Sequence, residues 1–217
     1  RAPDAPGAYY RGPVADLAAI ARLQRLPGTA VEIATLARLL GAGDSATLTQ
    51  LDATEAALRA RDASGQLGGA GLIVLATHGL IAGELKGAAA SEPALALTPP
   101  PGVAQDALTP DNDGLLTATE AAGLSLAAEW VILSACNTSA ADGRDPDGLS
   151  GLARGFFYAG AQSLLVSHFP VSDRATPLLT AAAVAARRDE GLARAEAARA
   201  ARRKLLEDTA FDADGMS

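Results

Sequence analysis

Glu129-Trp-Val-Ile-Leu-Ser-Ala-Cys-Asn-Thr138 is an apolar run that breaks into a small polar stretch carrying the chain's single cysteine, Cys136. A second run of the same build, Gly71-Leu-Ile-Val-Leu-Ala-Thr-His-Gly79, ends on His78, one of only two histidines. Short apolar runs bounded by polar or Gly-rich stretches read as buried strands, being too short for buried helices. The expected strands are Leu72–Thr77 and Trp130–Ala135, each delivering one reactive side chain at its carboxyl end. Ser163–Ser167 is a third run of this kind.

Helices separate the strands. Pro27 to Leu40 carries apolar residues at helical spacing (Val31, Ala34, Leu36, Leu39, Leu40) and stops at Gly41-Ala-Gly43. Asp52 with Glu55 three residues on predicts a cap and a helix through about Arg61. Further helices are expected at Gly151–Ala159, Asp173–Arg187 and Gly191–Leu206, and a short strand at Ala46–Thr49. Residues 80–128 read as irregular, with loops at Pro99-Pro-Pro101 and Asp111-Asn-Asp-Gly114. Short strands at Ala94–Thr98 and Leu115–Ala118 and a helical turn at Thr119–Leu124 lie within that stretch. Alternation of strands and helices predicts an α/β fold with a parallel sheet covered on both faces. Ligands of such sheets bind outside the carboxyl ends of the strands. With the three strands as neighbours, His78, Cys136 and the stretch after Ser167 converge on one rim.

Bulk properties narrow the partners. The 217 residues suit one medium domain, expected over 27–217, with 1–26, Pro/Gly-rich over 1–13, a tether or the remnant of a preceding region. The start at Arg1 rather than Met reads as a piece of a longer protein. A hydrophobic share of 49% with only 4% aromatic residues suits alanine-rich helices packed closely on a sheet. A net charge of −7 and a sequence pI near 4.8 argue against nucleic acid or an anionic membrane as partner. No apolar stretch approaches the roughly 20 residues that span a bilayer, and no signal peptide is visible. One cysteine cannot form an intramolecular disulfide, which fits a reducing compartment. The expectation is a soluble, cytoplasmic chain.

Cys and His on neighbouring strand tips are the minimum machinery of a cysteine hydrolase. A thiol becomes a good nucleophile when a neighbour stabilises the thiolate, and His78 is the candidate base for Cys136. Gly79 lets substrate approach the backbone, and the amides of Gly79 and Cys136 are candidate oxyanion donors. Thr77 or a backbone carbonyl is the candidate to orient the imidazole. The bland reading stands beside this one: a strand cysteine is commonly a small buried hydrophobe, and a strand-end histidine commonly just hydrogen-bonded. The residues by themselves leave both open. Gly65-Gln-Leu-Gly-Gly-Ala-Gly71 precedes a strand instead of opening a helix, so it is no dinucleotide loop. Two histidines and one cysteine fit no zinc spacing, and neither metal nor cofactor is expected. Phe156, Phe157 and Tyr158 read as core and groove wall, His168 as structural, and Arg187 to Lys204 as a solvated helix face.

Four blocks carry a family resemblance: Ala76-Thr-His-Gly79, Leu133-Ser-Ala-Cys-Asn-Thr138, Gly148-Leu-Ser-Gly-Leu-Ala-Arg-Gly-Phe-Phe-Tyr-Ala-Gly-Ala161 and Leu165-Val-Ser-His-Phe-Pro-Val-Ser-Asp173. In this order and spacing they resemble the CHAT domain, a caspase- and separase-like family often joined to tetratricopeptide repeats. The resemblance runs from about Asp52 to Leu179 and more weakly from Pro27. It implies a caspase-like three-layer α/β/α sandwich with a mostly parallel central sheet. It also implies a cysteine endopeptidase that cleaves protein substrates through a thioester, with His78 and Cys136 as the dyad. Pro170-Val-Ser-Asp173 is similar to a separase segment whose acidic residue receives a basic residue before the scissile bond. That places Asp173 at the substrate-binding pocket, its alternative being the N-cap of the following helix. Asp142, Asp145 and Asp147 offer further negative charge after Cys136, or a solvated turn. The implied partners are peptide substrates and tetratricopeptide-repeat or other regulatory regions. The alternative function is a latent or inactive caspase-like interaction module. Relatives usually carry a further apolar strand after the last helix; the expectation here is either a truncated sequence or the absence of that strand.

Overall fold

The computed structural model describes residues 10–11, 14–80, 92–134, 150–166 and 175–207. They divide into two compact units, one of 1–25 with 48–170 and one of 26–47 with 171–217. In chain order the first unit opens with β1 (Tyr10–Arg11), β2 (Val14–Ala15) and α1 (Leu17–Ala21). After α2 (Pro27–Leu40) of the second unit it continues with α3 (Glu55–Ala63), β3 (Leu72–Leu75), β4 (His78–Leu80), β5 (Ala94–Ala96) and β6 (Leu115–Thr117). It ends with α4 (Ala118–Ala122), β7 (Trp130–Leu133), α5 (Ser150–Tyr158) and β8 (Leu164–Val166), and α6 (Ala175–Asp189) and α7 (Arg194–Glu207) complete the second unit.

The three apolar runs form one parallel sheet in the order β3-β7-β8. Strand β7 is central and buried throughout, with Leu72 opposite Trp130, Leu75 opposite Leu133, and Val131 opposite Leu164. On one face Val131 and Leu133, with Ile73, Leu75, Leu164 and Val166 beside them, pack on Leu58 of α3, Ala121 of α4 and Leu152 and Phe156 of α5. Both crossovers step the same way across the sheet and put α4 and α5 on that face, as two crossovers of one hand require. Gly155 brings α5 onto the Ala118 carbonyl, where a Cβ has no room. Gly160, at φ +108, ends α5 and lets the Leu126 amide donate to the Ala159 carbonyl at 2.7 Å.

The stretch after β3, read from sequence as largely irregular, holds a second sheet. Strands β4, β5 and β6 pair antiparallel, and the two short strands foreseen at Ala94 and Leu115 are its centre and one edge. Alternation sends Leu95 and Leu116 into the core described above. Leu80, Ala94, Ala96 and Leu115 face the other way and are covered by Ala15, Ile20 and Leu23. Residues 14–25 thus lie as a strap across this sheet.

Two local expectations are corrected. Ala46–Thr49 is not a strand: Ala46 ends a single 3-10 turn at Asp44–Ala46, and the residues after it lead into another at Gln50–Asp52. The amide and hydroxyl of Thr47 both donate to the Asp44 carbonyl at 3.2 Å, and such local bonds compete with strand pairing. The cap of α3 is Thr54, whose hydroxyl accepts from Ala57 N at 3.1 Å, while Glu55 turns inward to other partners.

In the second unit α6 packs against both α2 and α7. Pro27 opens α2 and Gly41 closes it at φ +63. Small buried residues, Ala183 and Ala186 of α6 and Ala197 and Ala201 of α7, keep those helix faces flat. The Arg188 guanidinium donates to the Leu39 carbonyl, one of the acceptors that the end of α2 leaves over.

Candidate active site

His78 opens β4 instead of closing a single strand Leu72–Thr77. The parallel strand stops at Leu75, and the next residues are captured by β5: the Thr77 hydroxyl donates to the Ala96 carbonyl, and His78 stands in register with Ala96. The histidine is therefore fixed by two sheets at once, through β3 before it and β5 beside it.

The imidazole shares the strap-covered face of the antiparallel sheet, by alternation with Leu80, and is 9% exposed. Its Nε2 lies 2.6 Å from the backbone carbonyl oxygen of Gln24, just beyond α1. A carbonyl only accepts, so Nε2 carries the hydrogen and donates, and the lone pair of the neutral ring lies on Nδ1. Nothing in the sequence around Gln24 points to this role, because any residue supplies the same carbonyl.

Gly79 is in register with Leu95. The amide of Leu97 donates to the Gly114 carbonyl at 2.8 Å, and Ala118 N donates to the Pro93 carbonyl at 3.0 Å. Alternate residues of β5 thus turn toward β6, Leu95 among them, while Ala94 and Ala96 turn toward β4. Gly79, opposite Leu95, points its own N–H away from β5.

Cys136 and Asp173 lie outside the described residues, as do His168, Asp142, Asp145 and Asp147. The approach to Cys136 is described as far as Ser134, whose amide donates to the Leu75 carbonyl at 3.0 Å and carries the β3–β7 pairing one step past Leu133. In the sequence His78 and Cys136 are each the third residue beyond the register pair Leu75–Leu133.

Beside this site runs a buried carboxylate network that sequence reading missed. Glu55 Oε2 accepts from Asp113 N and Gly114 N, both at 2.7 Å. Asp113 Oδ2 accepts from Ala15 N at 2.7 Å, and its Oδ1 from Leu115 N at 2.9 Å. Burial pushes the Glu55 carboxyl up to about 8, against the pull of its amide donors and helped by the charges of Glu120 and Asp113. Burial likewise raises Asp113 to about 6. Glu120 caps α4 with Thr117 and meets the Arg59 guanidinium at 3.0 Å. Asp113 lies in a stretch legible only as a loop, and Glu55 in a helix start, so composition gave no sign that they meet. Among the described residues, no group of three or more His, Cys, Asp or Glu is placed to hold a metal ion. No helix among them is long and apolar enough to cross a membrane.

A family model of the CHAT domain matches residues 4–214. No curated protein matches the chain. The chain belongs to the CHAT domain family, a caspase-like family related to cysteine peptidases.

Proposed function

We propose that this CHAT domain is a cysteine endopeptidase in which Cys136 is the nucleophile and His78 the general base and acid. The observation that carries the reading is the contact of Nε2 with the Gln24 carbonyl, which takes the Nε2–H and so puts the basic lone pair of the neutral ring on Nδ1. The thiol of Cys136 gives its proton to Nδ1, and the thiolate adds to the scissile carbonyl carbon. The oxyanion so formed is met by the amides of Gly79 and Cys136, each such donor being worth about 3 kcal/mol in the transition state. Collapse breaks the C–N bond, Nδ1–H protonates the departing amine, and a thioester remains. Water, deprotonated by the same nitrogen, hydrolyses the thioester and restores the thiol. Through both steps the Gln24 carbonyl accepts from the ring and stabilises its charged form.

The same proposal includes the three-layer caspase-like arrangement, protein substrates, a cytoplasmic setting and regulation by other regions of a larger protein. Preference for a basic residue (P1) before the scissile bond rests on the likeness of Pro170-Val-Ser-Asp173 to a separase segment, with Asp173 as its counter-charge.

The test is covalent labelling with an arginyl chloromethylketone, read by intact mass and site mapping. Labelling of Cys136 that disappears in His78→Ala and is competed by leupeptin is the expected result. A folded protein that takes label neither from this probe nor from an aspartyl analogue, with regulatory regions present, sinks the peptidase reading in favour of an interaction module.

A further inference from the structure

We infer that Gln105 and Asp113 are positioning residues for His78, acting at a distance through the strap 14–25 that they fasten across the antiparallel sheet. Their bonds are made to backbone. Asp113 Oδ2 accepts from Ala15 N at 2.7 Å, Gln105 Nε2 donates to the Ala15 carbonyl at 2.7 Å, and Gln105 Oε1 accepts from Leu17 N at 2.9 Å. One side-chain amide here offers a donor and an acceptor to successive backbone groups, as the peptide of a neighbouring strand does. Beyond its short pairing with β1, the strap is thereby tied by side chains to the segments that carry Gln105 and Asp113.

The far end of the strap is what reaches the histidine. Helix α1 is five residues long, too short to persist without its anchors. Its last turn closes through Arg22 N and Leu23 N on the Ala19 and Ile20 carbonyls, and the carbonyl of Gln24, the residue after Leu23, accepts from Nε2 of His78. Ala15, Ile20 and Leu23 add apolar contact with Leu80, Ala94, Ala96 and Leu115. Apolar contact is non-directional and tolerates a slide of the strap, whereas the ring hydrogen bond weakens steeply with distance and angle. The polar clamp at Ala15 and Leu17 is therefore what sets where the Gln24 carbonyl stands. Asp113 is itself held from behind, its amide donating to Glu55 Oε2.

This inference takes its functional meaning from His78 as the base proposed above, but its readout is a ring tautomer and does not depend on Cys136 or on cleavage. With two histidines in the chain, the ring nitrogens of His78 are assigned in a ¹⁵N-labelled sample against His78→Ala. The unmodified protein is expected to show a single Nε2–H tautomer. Gln105→Met removes both clamp bonds at nearly constant length. Leu17→Pro removes the amide donor from the other side, at the first helical position, after an Asp16 whose ψ of 106 already suits a residue before proline.

Each variant is expected to mix the tautomers and to lower the His78 titration midpoint by about half a unit or more, since the charged ring loses an acceptor. Gln24→Ala, which keeps the carbonyl, is expected to change neither. Folded Gln105→Met and Leu17→Pro proteins that both keep the single tautomer and the original midpoint overturn the inference. Should either fail to fold, hydrogen exchange in the unmodified protein decides. A His78 ring proton lost while the Ala15 and Leu17 amides stay protected overturns it, and loss in step supports it.

Discussion

The two sheets of the first unit are held together in different ways. In the parallel sheet, Trp130–Leu133 is buried along its whole length and its neighbours add Ile73, Leu75, Leu164 and Val166 to one apolar core. In the antiparallel sheet the strands are as deeply buried, but the segments around them are placed by side-chain bonds to backbone. Glu55 holds Asp113 and Gly114, Asp113 holds Ala15 and Leu115, and Gln105 holds Ala15 and Leu17. Burial supplies free energy without direction, while hydrogen bonds supply direction with little net free energy. His78 belongs to the sheet positioned by hydrogen bonds. The catalytic candidate thus sits where geometry is specified most tightly, and the stability that tolerates this comes from the apolar core, to which Leu95 and Leu116 of the same sheet also contribute.

The largest effect should come from striking the apolar half. Phe156 is 1% exposed and packs in the shared core, so Phe156→Ala is expected to cost about 4 kcal/mol, read by denaturant or thermal unfolding. In the molecules that remain folded the His78 ring should keep its tautomer. A mixed tautomer there would mean that the core, and not the polar clamp, places the ring.

A smaller effect tests the polar half. Glu55→Ala leaves the amides of Asp113 and Gly114 buried without their acceptor, at a cost of about 2–3 kcal/mol. Glu55→Gln should cost less than about 1 kcal/mol, because one oxygen, Oε2, accepts both bonds and the amide oxygen can do the same. The pair also predicts an unusual pH dependence. The folded state holds protons on Glu55 up to about 8 and on Asp113 up to about 6, above the ordinary 4.5 and 3.8 of the unfolded chain. Between pH 4 and 8 the folded state therefore binds more protons than the unfolded one, and stability falls as pH rises through that window. The loss should amount to a few kcal/mol across the window and be visibly flattened in Glu55→Gln. A stability that rises over the same interval would show both carboxyls ionised in the folded protein.

The same contrast explains what the sequence made legible. Apolar runs announce burial, and the three parallel strands lie within a residue or two of their expected ends, as do α2, α5 and α6, while α7 starts at Arg194, three residues after the expected Gly191. The expected strand Leu72–Thr77 runs two residues past Leu75 because Ala76 and Thr77 continue its apolar and β-branched character, while the break comes from capture by Ala96, far along the chain. Asp52 and Glu55 fit a capping pattern, which is local. The actual partners of Glu55, the amides of Asp113 and Gly114, are long-range, and so is the link from Gln24 to His78. Long-range polar contacts have no period and leave no trace in composition. The residues and the family resemblance both nominate His78 and Cys136, but no motif marks the Gln24 carbonyl that meets the ring.

The smallest expected effect sharpens the comparison most. Asp16 caps α1, its carboxylate accepting from Ala18 N at 2.9 Å and Ala19 N at 3.3 Å. Asp16→Ala should cost about 0.5–1 kcal/mol, confined to the strap, since the bonds of Gln105 and Asp113 to Ala15 and Leu17 stay in place. Amide exchange in α1 should quicken several-fold with little change in the global unfolding midpoint. If the helix transmits position from the clamp to Gln24, exchange of the His78 ring proton must quicken by a similar factor. If the α1 amides quicken and the ring proton does not, the clamp and the apolar contacts of Leu23 place the Gln24 carbonyl without the helix. The directional part of this sheet would then begin and end at Ala15 and Leu17.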